Sequence, residues 1–208
     1  EMLHEGMRLT EIAQVIGRAH GVEADVLPMS DEPVQTYVRT QGEWRHFQEY
    51  LILQRSQPPL EGVEFRGAEQ APVTPEVQEA IAQAEAIVIG PSNPIASIGP
   101  MLEVSGMRAA LASADAPVVA VSPLVRGRSV KGPTEAFLSW AGHPVDDGGV
   151  AACYAGIAAG MVVDRATPTG PASTTGIVLR QTDTLMPDGE ARVSLAHEVI
   201  EFALSLGG

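Results

Sequence analysis

Two segments of this chain combine residue types and spacings suited to holding phosphate groups. The first runs Gly90-Pro91-Ser92-Asn93-Pro94-Ile95-Ala96-Ser97. Gly90 lets the backbone turn sharply or a ligand come close, and three prolines between residues 91 and 100 stiffen the segment. Proline has no N–H, so the donors that remain, the Ser92 and Asn93 side chains among them, stand out. A helix starting after Ser97, with that serine as its cap, would turn free amides and a positive dipole end toward an anion. The alternative is a stiff strand-to-helix connection with a serine cap, and composition leaves both readings open.

The second segment is Ser122-Pro123-Leu124-Val125-Arg126-Gly127-Arg128-Ser129-Val130-Lys131-Gly132-Pro133. It places Arg126, Arg128 and Lys131 within six residues of a chain whose net charge is −13. Arginine grips phosphate oxygens as a fork, and lysine acts as a mobile point charge. The alternative is a solvated loop offsetting nearby acids. Its place between a buried strand and a proline-started helix favours anion binding.

A third segment, Pro28-Met29-Ser30-Asp31-Glu32-Pro33, offers carboxylates of the kind that hold Mg²⁺ together with substrate phosphates. Met29 with Phe47 is suited to pack on a flat heteroaromatic ring. The local alternative is a turn with ordinary Asx chemistry. Other chemistries find less support. His4, His20, His46, His143 and His197 lack paired ligand spacing for zinc. Asp146-Asp147 ahead of two glycines reads as a polar turn or a metal site. Ser92 lies in no Gly-x-Ser-x-Gly elbow, and neither a P-loop nor a Gly-x-Gly-x-x-Gly signature occurs. Cys153, the single cysteine, excludes an intrachain disulfide and reads as packing on a small-residue helix face.

These segments need a scaffold to hold them. Leu9, Ile12, Ile16 and Ala19 repeat at helical spacing, with Thr10 as a cap. Val22 to Leu27 reads as a strand, and Thr36–Arg39 with Trp44–Leu53 as a hairpin around Gln41-Gly42, followed by a short strand near Val63. Helices are expected from Pro75 to about Ala84, from Ser97 to about Ala112, from Pro133 to Ala141 and from Val150 to Ala159. Short apolar strands are expected at Ala86–Ile89, Val118–Val121, Met161–Val163 and Ile177–Leu179. Pro168 to Thr175 reads as a loop. Arg192 to Leu206 closes the chain as an amphipathic helix, with Val193, Ala196, Ile200 and Ala203 on its apolar face. Such alternation predicts an α/β fold, a Rossmann-like, mostly parallel sheet with helices on both faces and a β-hairpin insertion.

Composition narrows the partners. A net charge of −13 argues against nucleic acid and anionic membrane surfaces, which are themselves polyanions. The apolar stretch from Val150 to Val163 is shorter than the ~20 residues a spanning helix needs. One cysteine fits a reducing, cytoplasmic location. Twelve of the thirteen basic residues are arginine, which makes the one lysine, Lys131, a little more notable.

Read together and in order, these segments resemble the 2-phospho-L-lactate transferase family of coenzyme F420 biosynthesis. Leu27-Pro28-Met29-Ser30-Asp31 with Pro33-Val34 and Thr36 resembles that family's "LPMSDDPV.T" stretch, and Phe47-Gln48 its "FQ" strand. Ile89 to Pro100 resembles its most diagnostic element, "IGPSNPxxSIGP". Val119 to Pro123, Lys131-Gly132-Pro133 and Asp183-Thr184-Leu185-Met186 resemble "VAVSP", the "GP" helix start and "DTLM". The resemblance implies transfer of a phospholactyl or phosphoenolpyruvyl group from a guanylyl diphosphate-type donor to the deazaflavin Fo, with Mg²⁺ and release of GMP. It also implies a homodimer. Gly90, Ser92, Asn93, Ser97, Arg126, Arg128, Lys131 and Gly132 would then face the donor phosphates. Met29, Asp31, Thr36, Phe47 and Gln48 would form the deazaflavin side, with Asp31 also a metal ligand. Residues 1–208 are expected to form a single α/β domain corresponding to the C-terminal two-thirds of a family member. The family's N-terminal Gly-rich unit has no counterpart here, and the family pattern has no paired acid at Asp146-Asp147. A non-catalytic deazaflavin- or nucleotide-binding protein is the alternative. A nucleotide-sugar-binding regulator of carbon metabolism is another, although its counterpart loop lacks the GPSNP form.

Overall fold

The structure, a computed structural model, describes residues 2–167 and 175–207. The stretch expected as a loop from Pro168 to Thr175 therefore lies outside the described residues, Thr175 excepted. Helix α1 (Leu9–Ala19) opens with Arg8 at its cap position, where the Arg8 N–H donates to Glu11 at 2.9 Å. Thr10, expected as the cap, sits inside the first turn instead. No strand forms over Val22–Leu27. Val22 and Val26 are exposed, and no described strand lies alongside to supply a ladder.

Strands β1 (Gln35–Thr40) and β2 (Glu43–His46) form the expected hairpin, with positive φ at both Gln41 and Gly42. The second strand stops well short of Leu53. Arg45 pairs with both Glu43 and Glu49, and Glu49–Leu53 winds into a π-helical turn that buries Tyr50. Strand β3 (Gly62–Arg66) pairs antiparallel with β1, so the insertion is a three-stranded sheet ordered β2-β1-β3.

The α/β part follows. Helix α2 (Pro75–Gln83) has proline in its first turn and Thr74 as its cap, the hydroxyl accepting the Val77 N–H at 3.3 Å. Strand β4 (Ile87–Ile89) leads to two helices, α3 (Gly99–Glu103) and α4 (Met107–Ala112), where one was expected. The break has a cause: Ser105 exchanges backbone hydrogen bonds with Ala71 and Val73, and Gly106 turns the chain at φ 93°. Strand β5 (Val118–Val121) is followed by a tight hairpin of β6 (Leu124–Val125) and β7 (Arg128–Ser129), then by helix α5 (Thr134–Trp140). Helix α6 (Asp147–Cys153) begins three residues earlier than expected and ends sooner, because Asp146 accepts the Gly149 N–H and fixes its start. Strands β8 (Gly160–Asp164) and β9 (Val178–Thr182) and the long helix α7 (Gly189–Leu206) complete the chain.

Strands β4, β5, β8 and β9 form one parallel sheet in that spatial order. Every residue of β5 and β8 is buried, as central parallel strands require. Their side chains alternate between two cores. Val119, Val121 and Val162 meet Leu195, Val199, Phe202 and Ala203 of α7. Val118, Ala120, Met161 and Val163 meet Leu102, Met107, Leu111, Leu138 and Val150 from the helices on the other face. The α/β fold with helices on both faces is therefore as the sequence predicts. The apolar face of α7 is only partly so: Ala203 is buried as expected, but Val193 and Ile200 are exposed, and the buried stripe runs through Leu195, Val199 and Phe202. Helix α7 approaches closely because Gly160 has no side chain; a Cβ there would lie 2.6 Å from Leu206 and 2.8 Å from Phe202.

Candidate functional site

In a parallel sheet all strands end at one edge, and ligands in such folds lie beyond that edge. Here β4 is followed at once by Gly90 and β5 by Ser122, while β8 ends in Asp164 and β9 in Thr182. Since Ile89 pairs with Ala120, the GPSNP segment and the cationic segment leave neighbouring strands side by side.

The GPSNP segment is organised by Asn93. Its Oδ1 accepts the N–H groups of Ile95 and Ala96 at 3.0 and 2.9 Å, and its carbonyl accepts those of Ser97 and Ile98. Asn93 thus ties the turn ahead of α3, and the cap expected of Ser97 does not form, since no side chain caps α3. The Asn93 Nδ2 is buried without a hydrogen-bond partner. Gly90 and Ser92 are exposed, and nothing lies within 4 Å of a Cβ placed on Gly90, so the approach to this segment is open.

The cationic segment is not a free loop. Its tip, Arg126-Gly127, has φ of 56° and 74°, the positive pair of a tight two-residue hairpin turn. Ser129 donates to the Glu135 carboxylate from its N–H at 2.9 Å and its hydroxyl at 2.5 Å, which ties the hairpin to α5. Burial works to raise the Glu135 carboxyl, but these two bonds hold it below the usual range. Arg126, Arg128, Lys131 and Gly132 are exposed, and no described carboxylate lies within ion-pair distance of the three cations.

Behind the hairpin lie buried groups that sequence reasoning missed. Ser122, 1% exposed, donates its hydroxyl to Asp147 Oδ1 at 2.5 Å and accepts the Leu124 N–H at 3.2 Å. Asp147 is 7% exposed; burial pushes its carboxyl up, Ser122 opposes, and Asp146 and Asp164 add to the rise. Asp164, 5% exposed, accepts the N–H groups of Arg126 and Ala166 at 3.1 and 3.2 Å on Oδ1, and the Thr184 hydroxyl at 3.4 Å on Oδ2. Signals for these were present. Asp164 is the one charge ending an apolar strand, and Asp147 stands in a pair of acids ahead of two glycines.

Asp31 is engaged elsewhere. Arg8 donates to its Oδ2 at 2.7 Å, while the Thr10 N–H and hydroxyl both donate to its Oδ1 at 2.8 Å. The same guanidinium grips Glu76 in a fork at 2.8 and 3.0 Å, so the three residues latch α1, the PMSDEP segment and α2 together. Burial works to raise the Asp31 carboxyl, but Thr10 and Arg8 hold it low. As arranged, Asp31 does not fit a Mg²⁺ ligand. Among the described residues no group of three His, Cys, Asp or Glu side chains is placed to hold a metal ion.

The expected deazaflavin residues divide between two places. Met29 packs against the larger core, whereas Phe47 meets Phe137 of α5 edge-on at 5.7 Å, so the two do not share one platform. Thr36 is half-buried on β1, and Gln48 is exposed beyond β2. A third core of Val38, Tyr50, Ala96 and Phe137 packs the antiparallel sheet against the GPSNP segment and α5.

Residues 1–201 match the family described as 2-phospho-L-lactate transferase CofD. The chain belongs to that family. It is 36% identical over 202 residues to the 2-phospho-L-lactate transferase of Methanosarcina mazei, covering 96% of this chain and 66% of the relative. With that of Methanospirillum hungatei identity is 38% over 201 residues, covering 96% and 65%. The CofD-family chain therefore spans about two-thirds of the length of these curated relatives. Among solved structures, protein BH3568 from Bacillus halodurans superposes with a TM-score of 0.63 at 15% identity, covering 89% of this chain and 65% of that one. That likeness speaks to the fold. Among its described residues this CofD-family chain has no helix long and apolar enough to cross a membrane.

Cys153 takes no part in the site. Burial pushes its thiol up to about 11, and its Sγ rests 3.4 Å from the Gly149 carbonyl. Iodoacetamide at pH 8 is expected to label Cys153 slowly in the folded CofD-family chain and quickly in urea. Fast labelling of the folded chain, followed by mass spectrometry, would place the thiol at the surface.

Proposed function

We propose that this chain carries the donor-phosphate side of a 2-phospho-L-lactate transferase acting in coenzyme F420 biosynthesis. Its reaction moves a phospholactyl or phosphoenolpyruvyl group from a guanylyl diphosphate-type donor to the ribityl hydroxyl of Fo. The new bond joins that oxygen to the phosphorus bearing the lactyl or enolpyruvyl group. The bond from the same phosphorus to the bridging oxygen breaks, GMP leaves with the electron pair, and the hydroxyl proton is lost to solvent or base.

The observation that carries the reading is the pairing of two anion-suited segments on adjacent strand ends, with three exposed cations that have no described carboxylate within ion-pair distance. Phosphoryl transfer asks mainly for positioning and charge neutralisation. Arg126, Arg128 and Lys131 supply charge, while Gly90 leaves room for close approach. The antiparallel sheet, packed on the GPSNP segment through Val38 and Ala96 and on α5 through Phe47 and Phe137, supplies the acceptor side. Mg²⁺, where it takes part, offsets charge on the donor phosphates, and no step here is routed through it.

The test is a transfer assay with Mg²⁺, Fo and each of the two candidate donors, read by mass spectrometry. Phospholactyl- or phosphoenolpyruvyl-Fo as product would support the reading and identify the donor. Replacing Arg126, Arg128 and Lys131 together by alanine is expected to weaken donor binding about a hundredfold, at roughly 1 kcal/mol for each cation removed from the phosphates. Fo affinity should stay within about twofold, since these cations face the donor. Tight binding of donor and Fo without turnover would favour a non-catalytic binding protein. Absence of donor binding would sink both readings.

A further inference from the structure

The β6–β7 hairpin is held by its base. Ser122, the first residue past β5, accepts the Leu124 N–H and donates its own hydroxyl to a hydrogen bond with Asp147 at the start of α6. From the other side, Asp164 at the end of β8 accepts the Arg126 N–H at the hairpin's tip, and Thr184 past β9 donates to the second Asp164 oxygen. Both carboxylates and the serine are almost wholly buried, yet the hairpin's two cations, Arg126 and Arg128, stand in solvent. Buried polar groups of this kind are costly unless fully partnered, so such a network fixes one geometry rather than several.

We infer that Asp164 and the Ser122–Asp147 pair are positioning residues that clamp the hairpin and thereby aim Arg126 and Arg128 at the donor's phosphates. The inference rests on the reading that this hairpin binds the donor. None of the three touches the reacting atoms. They act on the backbone of Leu124 and Arg126, and so on where two guanidinium forks converge. A two-residue turn has few internal hydrogen bonds of its own, so its direction depends on what its ends are tied to. The clamp also draws together the ends of β5, β8 and β9 and the start of α6, which explains why a single apolar strand ends in a buried aspartate.

The experiment measures hydrogen exchange at the Leu124 and Arg126 amides together with binding of the guanylylated phospholactate donor and of Fo. The variants are Asp164→Ala, Asp164→Asn and Ser122→Ala, each first shown by circular dichroism to be folded. Asp164→Ala and Ser122→Ala are expected to lose amide protection and to weaken donor binding about tenfold or more, as loss of one hydrogen bond to a charged group implies. Fo binding should be unchanged. Asp164→Asn keeps an acceptor oxygen and is expected to recover much of both signals, which a general loss of packing would not predict. Amide protection unchanged in Asp164→Ala and Ser122→Ala would overturn the clamp. Protection lost with donor affinity unchanged would keep the clamp as structure and overturn its aiming role. In that case the alanine triple variant decides whether the hairpin binds donor at all. If Asp164→Ala does not fold, Asp164→Asn and Ser122→Ala carry the test, and full protection in both would overturn the proposal.

Discussion

Gly149→Ala is expected to cost the chain about 3 kcal/mol or more, the range in which overpacking against an unyielding neighbour falls. A Cβ at Gly149 would stand 1.9 Å from the Pro144 carbonyl oxygen and 2.9 Å from its carbon, with His143 Cβ at 3.3 Å. The two nearest atoms are backbone, so no rotamer change relieves the clash. The first turn of α6 would have to lift, which would take Asp147 away from Ser122 and loosen the base of the hairpin. The N–H of Gly149 also donates to Asp146, so the cap that starts the helix would be disturbed with it. The comparison is Gly189→Ala, in the first turn of α7, where nothing lies within 4 Å of the added carbon. That change is expected to be neutral or to stabilise by up to about 1 kcal/mol, because alanine outranks glycine in a helix. Urea midpoints of both variants give the answer. A Gly149→Ala chain within about 1 kcal/mol of the parent would show that α6 can shift freely, and would weaken the argument that its start is fixed.

Where the sequence speaks through local physics, the structure agrees with it. Val118–Val121 is a continuous apolar run and becomes the buried centre of the sheet; Pro75 starts a helix; Gln41-Gly42 makes the turn of a hairpin. Each of these depends on a few neighbouring residues. The failures depend on distant ones. Val22–Leu27 has strand-forming residues but no partner strand among those described. The expected helix from Ser97 to Ala112 breaks at Ser105 because Ala71 and Val73 claim its backbone. In α7 periodicity finds a helix but not its buried side, since Val193 and Leu195 are equally apolar and only the sheet decides between them.

The candidate site divides the same way. The two anion-suited segments stand out in the sequence because glycine, proline and clustered charge are local signals, and the structure places them on neighbouring strand ends. Asp31 looked available, and it is Arg8, twenty-three residues earlier, that occupies it. Ser97 looked like the cap, but Asn93 supplies both the side-chain and the backbone acceptors. Asp147 read as part of a polar turn or a metal site, and the structure buries it against Ser122 instead. The groups that set the hairpin's geometry are joined only by the fold, Asp147 lying twenty-five positions after Ser122 and Asp164 thirty-eight after Arg126.

That burial has a consequence for pH. The folded chain raises the Asp147 carboxyl above its unfolded value, through burial first and the neighbouring Asp146 and Asp164 carboxylates after it. A carboxyl raised in this way favours folding only in its neutral form. Its contribution is whole below the unfolded carboxylate range and is lost as pH rises through the folded value. Asp147→Asn removes that titration and keeps an oxygen to accept the Ser122 hydroxyl. Its stability is therefore expected to match the parent's at low pH and to exceed it at pH 8. Asp147→Ala does something different, because it strips the Ser122 hydroxyl of its acceptor inside the protein. That change is expected to cost about 1–3 kcal/mol, the penalty for a buried polar group left unpaired. Urea denaturation of the three proteins from pH 4 to pH 8 separates the two effects. An asparagine variant less stable than the parent at pH 8 would mean that the ionised carboxylate, with its stronger acceptance of the Ser122 proton, is what the fold retains there. The pair would then work as a charged anchor for the hairpin, and the aspartate would be kept for its charge rather than for its shape.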